Sequence, residues 1–139
     1  MFNPEMTVAA INQMSERTLA ANLGIEFTEV GADFMCARMP VDSRTVQPFG
    51  LLHGGASIAL AETMGSVAST AMIDLSAQAA VGIDINGNHL RAATEGYVIG
   101  TVRPIHIGRR THVWEIRIED ERGRLVNISR LTMMIIQRT

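Results

Sequence analysis

Residues 45–73 read TVQPFGLLHGGASIALAETMGSVASTAMI, and Glu62 is the only formally charged residue among them. Pro48 and Gly50 mark a turn at the entry. From His53 to Met72 the run is rich in Ala, Ser and Gly, with Ile58, Leu60, Met64, Val67 and Met72 as its larger apolar residues. A helix that is apolar all round is one that is buried all round, so the stretch predicts a central helix covered on every side. A membrane span would need about 20 apolar residues. The Gly, Ser and Thr content and the central glutamate, which costs about 3 kcal/mol in lipid, argue against that reading.

Around this helix the chain reads as strands. Upstream, residues 5–21 predict one short N-terminal helix, with Met6, Val8, Ala9, Ile11, Leu19 and Ala20 as its apolar positions. Ile25–Thr28 alternates, and Phe34–Val41 resumes extended character after a turn at Gly31. Downstream, Val81–Ile85, Gly96–Ile107, His112–Asp120 and Leu125–Gln137 are extended. In His112–Asp120, Trp114, Ile116 and Ile118 alternate with Glu115, Arg117 and Glu119, the pattern of a half-solvated strand. Glu121-Arg122-Gly123-Arg124 reads as a hairpin turn. Asn86-Gly87 reads as a bulge near the site. The pattern predicts an α+β fold, one long buried helix wrapped by a single antiparallel sheet, with the last four strands in a meander. No βαβ alternation supports a doubly wound sheet.

The 139 residues suit one domain, 1–139, with a core that needs no disulfide. Cys36 is the only cysteine and reads as a core residue of its strand. With no basic, apolar leader at the start, this predicts a reducing, cytoplasmic location. All twelve basic residues are arginine, which excludes Schiff-base and phosphate-loop lysine chemistry. Eight of those arginines, against four acids, fall from Arg103 onward. A basic third can face a polyanion, or can simply be a solvated sheet face. Few aromatics and no basic-aromatic motif argue against nucleic acid. His53, His89, His106 and His112 lack metal-ligand spacing, so no metal and no cofactor is assigned. Met133 and Met134 read as core or interface residues.

Glu62 needs an explanation. A carboxylate in a buried helix must be paired or reached by solvent, and no arginine lies at i±3 or i±4. It is either paired with an arginine of another strand or subunit, or it is an active-site carboxylate. His53-Gly54-Gly55 sits at the helix start, where backbone N–H groups are free and the dipole is positive. Glycines there admit a ligand carbonyl close to the backbone, although such a pair also serves as a plain turn. Ser66, four residues after Glu62, shares its face and either positions a water or allows close packing.

The segment QPFGLLHGGASIALAETMGS, Gln47 to Ser66, resembles the active-site segment of hotdog-fold acyl-CoA thioesterases of the 4-hydroxybenzoyl-CoA type. Within that type it is similar to the branch of menaquinone-pathway and enterobactin-pathway aryl thioesterases. LGIEFTEVG, MPVDSRTVQPFGLLHGG, VGIDINGNHLRAATEG and HIGRRTHVWEI carry the resemblance along the chain, with Ala92 standing where the family often has proline. The resemblance implies hydrolysis of an acyl- or aroyl-CoA thioester, or a carrier-protein one. Glu62 would be nucleophile or general base, the Gly54 N–H would polarise the carbonyl, and Gln47, His53 and Ser66 would assist. It further implies a substrate-binding set of His89, Gly55, Gly82 and Arg91, with His106, Gly108 and Arg109 of the HIGRR stretch (which ends at Arg110) at the coenzyme A nucleotide. The expected assembly is a homotetramer built as a dimer of dimers, with sites shared between subunits. A single sheet layer, whose far face and edges need covering, points the same way. A hotdog dehydratase or hydratase and a non-catalytic acyl-CoA-binding protein are the competing readings.

Overall fold

The computed structural model describes residues 1–139. Two short helices, α1 (Val8–Met14) and α2 (Leu19–Asn22), precede strands β1 (Glu26–Val30) and β2 (Met35–Pro40). A long helix, α3 (Gly54–Thr70), follows, and then β3 (Gln78–His89), β4 (Tyr97–Ile107), β5 (Thr111–Asp120) and β6 (Leu125–Gln137). The expected single N-terminal helix is two. Ser15 caps the first, Arg17 takes φ 60°, and Thr18 restarts from an extended conformation.

All six strands form one antiparallel sheet in the order β1-β2-β4-β5-β6-β3. Strands β4, β5 and β6 are a meander, but the predicted fourth member is not part of it. After α3, β3 runs along the outer side of β6, so the chain must cross the sheet to begin β4. Strand β3 is also longer than Val81–Ile85. Its ladder with β6 continues from Gln78↔Gln137 to His89↔Asn127 and passes straight through Asn86-Gly87. The register shift lies between Gly82 and Asp84 instead.

Helix α3 packs across one face of this sheet, against β2 to β6. It buries Ala56, Ser57, Leu60, Ala61, Met64, Gly65, Ala68 and Ser69, the i, i+1, i+4, i+5 positions of one stripe. Leu60 and Met64 meet a core that includes Trp114, Ile116, Ile118, Leu131 and Met133; full burial of each large side chain is worth about 1.5–3 kcal/mol. Close approach depends on two glycines. A Cβ on Gly65 would collide with Leu131, and one on Gly100 with the Met64 sulfur. The opposite stripe of α3 is half-buried and leaves Glu62 exposed, so within one chain the helix is not covered on every side. Ala and Ser are small enough to suit either environment, so composition alone does not reveal the uncovered face. In β2, Met35, Ala37 and Met39 are buried while Cys36 points to the other side, half-buried beside Thr101. Cys36 is therefore not a core residue.

Candidate active site

The start of α3 carries one group of the predicted residues. His53 is the N-cap, and its Nδ1 accepts the Gly55 N–H at 2.8 Å, which leaves the ring proton on Nε2. The His53 carbonyl takes the N–H groups of Ala56 and Ser57. The Gly54 N–H takes part in no hydrogen bond within the chain. It is an open donor at the positive end of the helix dipole. His89, at the end of β3, packs against this point: a side chain on Gly54 would begin 2.8 Å from His89 Nε2. Gln47 precedes the helix in a tight loop, where its carbonyl accepts the Gly50 N–H and its Oε1 accepts the Phe49 N–H. An isolated bridge between Val46 and Leu52 ties this loop to the helix start. Arg91 follows β3, exposed, with its N–H on the Val126 carbonyl.

Glu62 lies two turns further along the half-buried stripe of α3. It is exposed and joins none of the four ion pairs of the chain. The pairing with an arginine that a buried carboxylate would have required is absent. Its Oε1 stands 3.1 Å from where a Gly82 side chain would start. Gly82 thus gives the carboxylate room against the edge strand. Ser66 shares the face of Glu62, with its hydroxyl 3.8 Å from the Met133 sulfur. Leu19, Ala59, Thr63 and Val67 complete with them an open cleft of about 370 Å³.

Of the remaining predicted residues, His106 lies near the end of β4, and Gly108 and Arg109 belong to the turn between β4 and β5, where the Gly108 N–H donates to the Thr111 carbonyl. Strand register sets their position. Thr111 pairs with Met134, and Met134 with Val81, so the turn lies at the Gly82 end of the sheet. The candidate residues therefore separate into two groups within one chain. Gln47, His53, Gly54, Gly55, His89 and Arg91 gather at one end, and Glu62, Ser66, Gly82, His106, Gly108 and Arg109 at the other. About 12 Å of helix separates Gly54 from Glu62, too far for both to touch one carbonyl group.

Two polar clusters escaped the sequence reading. Asn127 and Ser129 of β6 are buried, and Asn127 Nδ2 lies 3.1 Å from His89 Nδ1. Their signal was available: in VNISRLTM they occupy the alternate positions that continue as Leu131 and Met133, a core face on which polar residues need partners. At the other end, Ser69 is fully buried, and its hydroxyl oxygen accepts the Trp114 indole N–H at 2.7 Å and meets His112 Nδ1 at 3.1 Å. Burial pushes the His112 imidazole below the usual histidine range, although a hydrogen bond to the Gly108 backbone opposes the shift.

A helix held in a curled antiparallel sheet is the hotdog fold, and here it displays a carboxylate and an unpaired backbone donor on its open side. Residues 49–127 match the thioesterase superfamily, and the chain belongs to that family. It is 51% identical over 136 residues to the 1,4-dihydroxy-2-naphthoyl-CoA hydrolase of Escherichia coli, covering 98% of this chain and 99% of that protein. It is 50% identical to the proofreading thioesterase EntH of Cronobacter turicensis, over 98% of each. Among solved structures, a mutant thioesterase from Pseudomonas aeruginosa matches with TM-score 0.96 and 42% identity, covering 99% of both chains.

Proposed function

We propose that this protein hydrolyses an acyl- or aroyl-CoA thioester to the free acid and thiol, using Glu62 as nucleophile or general base. The observation that carries the reading is the pairing, on one helix, of an unpartnered Gly54 N–H with an exposed carboxylate that Gly82 leaves room for. A backbone N–H at a helix start suits the oxygen of a thioester carbonyl, where negative charge develops during attack. A carboxylate is the base or nucleophile that such an attack needs. The naphthoyl-CoA hydrolase named above makes an aromatic acyl group the first substrate class to try.

In this reading the site is completed by a second copy. Strand β3 is a sheet edge whose outer side is unpaired, and Val81 and Ile83 along it are exposed. Antiparallel pairing of two β3 strands about a centre near Ile85 brings the Gly82 end of one copy beside the His89 end of the other. Glu62 then faces the Gly54 N–H of its partner, and the separation within one chain ceases to matter. Arg109 and Arg110, exposed on their turn, suit the phosphates of coenzyme A. The further association of two dimers into a tetramer covers the outer sheet face, where Met134 and Ile136 are exposed. A reducing compartment, the cytoplasm, suits a chain whose one thiol is free. No helix is long and apolar enough to cross a membrane.

Turnover of a panel of coenzyme A and carrier-protein thioesters, with detection of the released thiol, tests the proposal. Thiol release from an aroyl- or acyl-CoA at catalytic rates is expected. Stoichiometric binding without release would favour a binding protein, and water addition to an enoyl thioester would favour a hydratase.

A further inference from the structure

His89 is held from behind by one buried side chain, which a second buried side chain fixes in turn. Asn127 has no exposed surface and is the direct cross-strand partner of His89 in the β3–β6 ladder, so their contact is fixed by register rather than by a flexible reach. The Ser129 hydroxyl donates to Asn127 Oδ1 at 2.7 Å. With its oxygen so engaged, the amide turns its NH2 toward His89 Nδ1 at 3.1 Å. An imidazole nitrogen that accepts a hydrogen bond is unprotonated, and in the neutral ring the proton must then sit on Nε2. Gly87 makes the arrangement possible. A side chain there would collide with the Ser129 hydroxyl and begin 3.3 Å from Asn127 Nδ2.

We propose that Asn127, fixed by Ser129, is a positioning residue that locks His89 as the Nε2–H tautomer and presents this N–H beside the free N–H of Gly54. The inference rests on the thioesterase reading above. It adds a second donor at the helix start, directed at an oxygen of the acyl thioester. Nothing else in the chain competes for that ring nitrogen, since the His89 side chain makes no hydrogen bond other than the one to Asn127. Rotation of the amide by half a turn would place Oδ1 against the ring and demand a proton on Nδ1. The imidazole would then offer the helix start an acceptor, which repels a carbonyl oxygen.

The test is the tautomer itself, read from the side-chain 15N signals of His89 in the full-length protein at a mildly alkaline pH, with His89→Gln giving the assignment. The expected spectrum shows an unprotonated Nδ1 and a protonated Nε2. Asn127→Asp sets a carboxylate against the ring and is expected to move the proton to Nδ1. It should lower kcat/KM by about 10- to 100-fold, the usual scale for losing the outer partner of a functional histidine. Ser129→Ala, which removes only the hydroxyl, keeps the variants informative should Asn127→Asp fail to fold. It is expected to mix the two tautomers and lower kcat/KM to a smaller extent. A protonated Nδ1 in the wild-type protein overturns the proposal, as does a switched tautomer with unchanged kcat/KM. Either result leaves Glu62 untouched. Conversely, loss of the Glu62 assignment would leave the His89 spectrum readable on its own terms.

Discussion

At the scale of single residues, the site depends on space as much as on functional groups. Gly82 lies on an exposed edge strand at a negative or extended φ, so a side chain there is conformationally permitted. It would crowd Glu62 Oε1 at 3.1 Å. Gly82→Val is therefore expected to keep its melting temperature and lose on the order of 10²-fold in kcat, since a displacement of about 1 Å at a reacting group has that consequence. Wild-type kcat in a folded Gly82→Val would separate Glu62 from the chemistry. His112 supplies a second residue-scale prediction. Its burial resists protonation, whereas the unfolded chain takes up a proton near pH 6.5. Its contribution to stability is thus complete above about pH 6.5 and is lost as the pH falls below that value. Denaturant midpoints between pH 7.5 and 5.5 should fall less steeply in His112→Gln than in wild type; equal slopes would contradict the assignment. Residue types and spacing in the sequence singled out the candidates for the chemistry, including Glu62, Gly54 and His53. They did not show the support behind His89, because Asn127 sits 38 positions away and only strand register brings the two together.

At the scale of elements, α3 and the meander of β4, β5 and β6 were legible, because apolar length and period-two alternation are local signals. The one-sided exposure of α3 was not. A run of Ala, Ser and Gly has nearly the same hydrophobicity on every face, and only packing decides which stripe is covered. The placement of β3 outside β6 was hidden for a related reason, since strand order is a property of long-range pairing. The packing of α3 on the sheet makes its own prediction. Gly65 abuts Leu131 with no room for a side chain, so Gly65→Leu should overpack the interface and cost about 1–3 kcal/mol. The check is a lower urea midpoint with an unchanged m-value. An unchanged midpoint would mean that helix and sheet are less closely engaged than their contacts imply.

At the scale of the whole molecule, the two groups of candidate residues lie at opposite ends of one chain, and the proposed pairing of copies along β3 would bring them together. The protein should therefore sediment as a dimer or tetramer, and dilution that yields monomers should abolish turnover. A stable, active monomer would contradict the shared site. Whether the assembled protein hydrolyses thioesters through Glu62 is decided by Glu62→Gln, with kcat, melting temperature and sedimentation measured on one preparation. Glutamine keeps the shape of the side chain but can neither take a proton nor form an anhydride. Because Glu62 is exposed and joins no ion pair, the substitution should leave folding and assembly unchanged. The predicted result is a folded, assembled enzyme whose kcat has fallen by about 10²- to 10⁴-fold. An equally folded and assembled Glu62→Gln that retains more than about a tenth of wild-type kcat, well above the low end of that range, would contradict it.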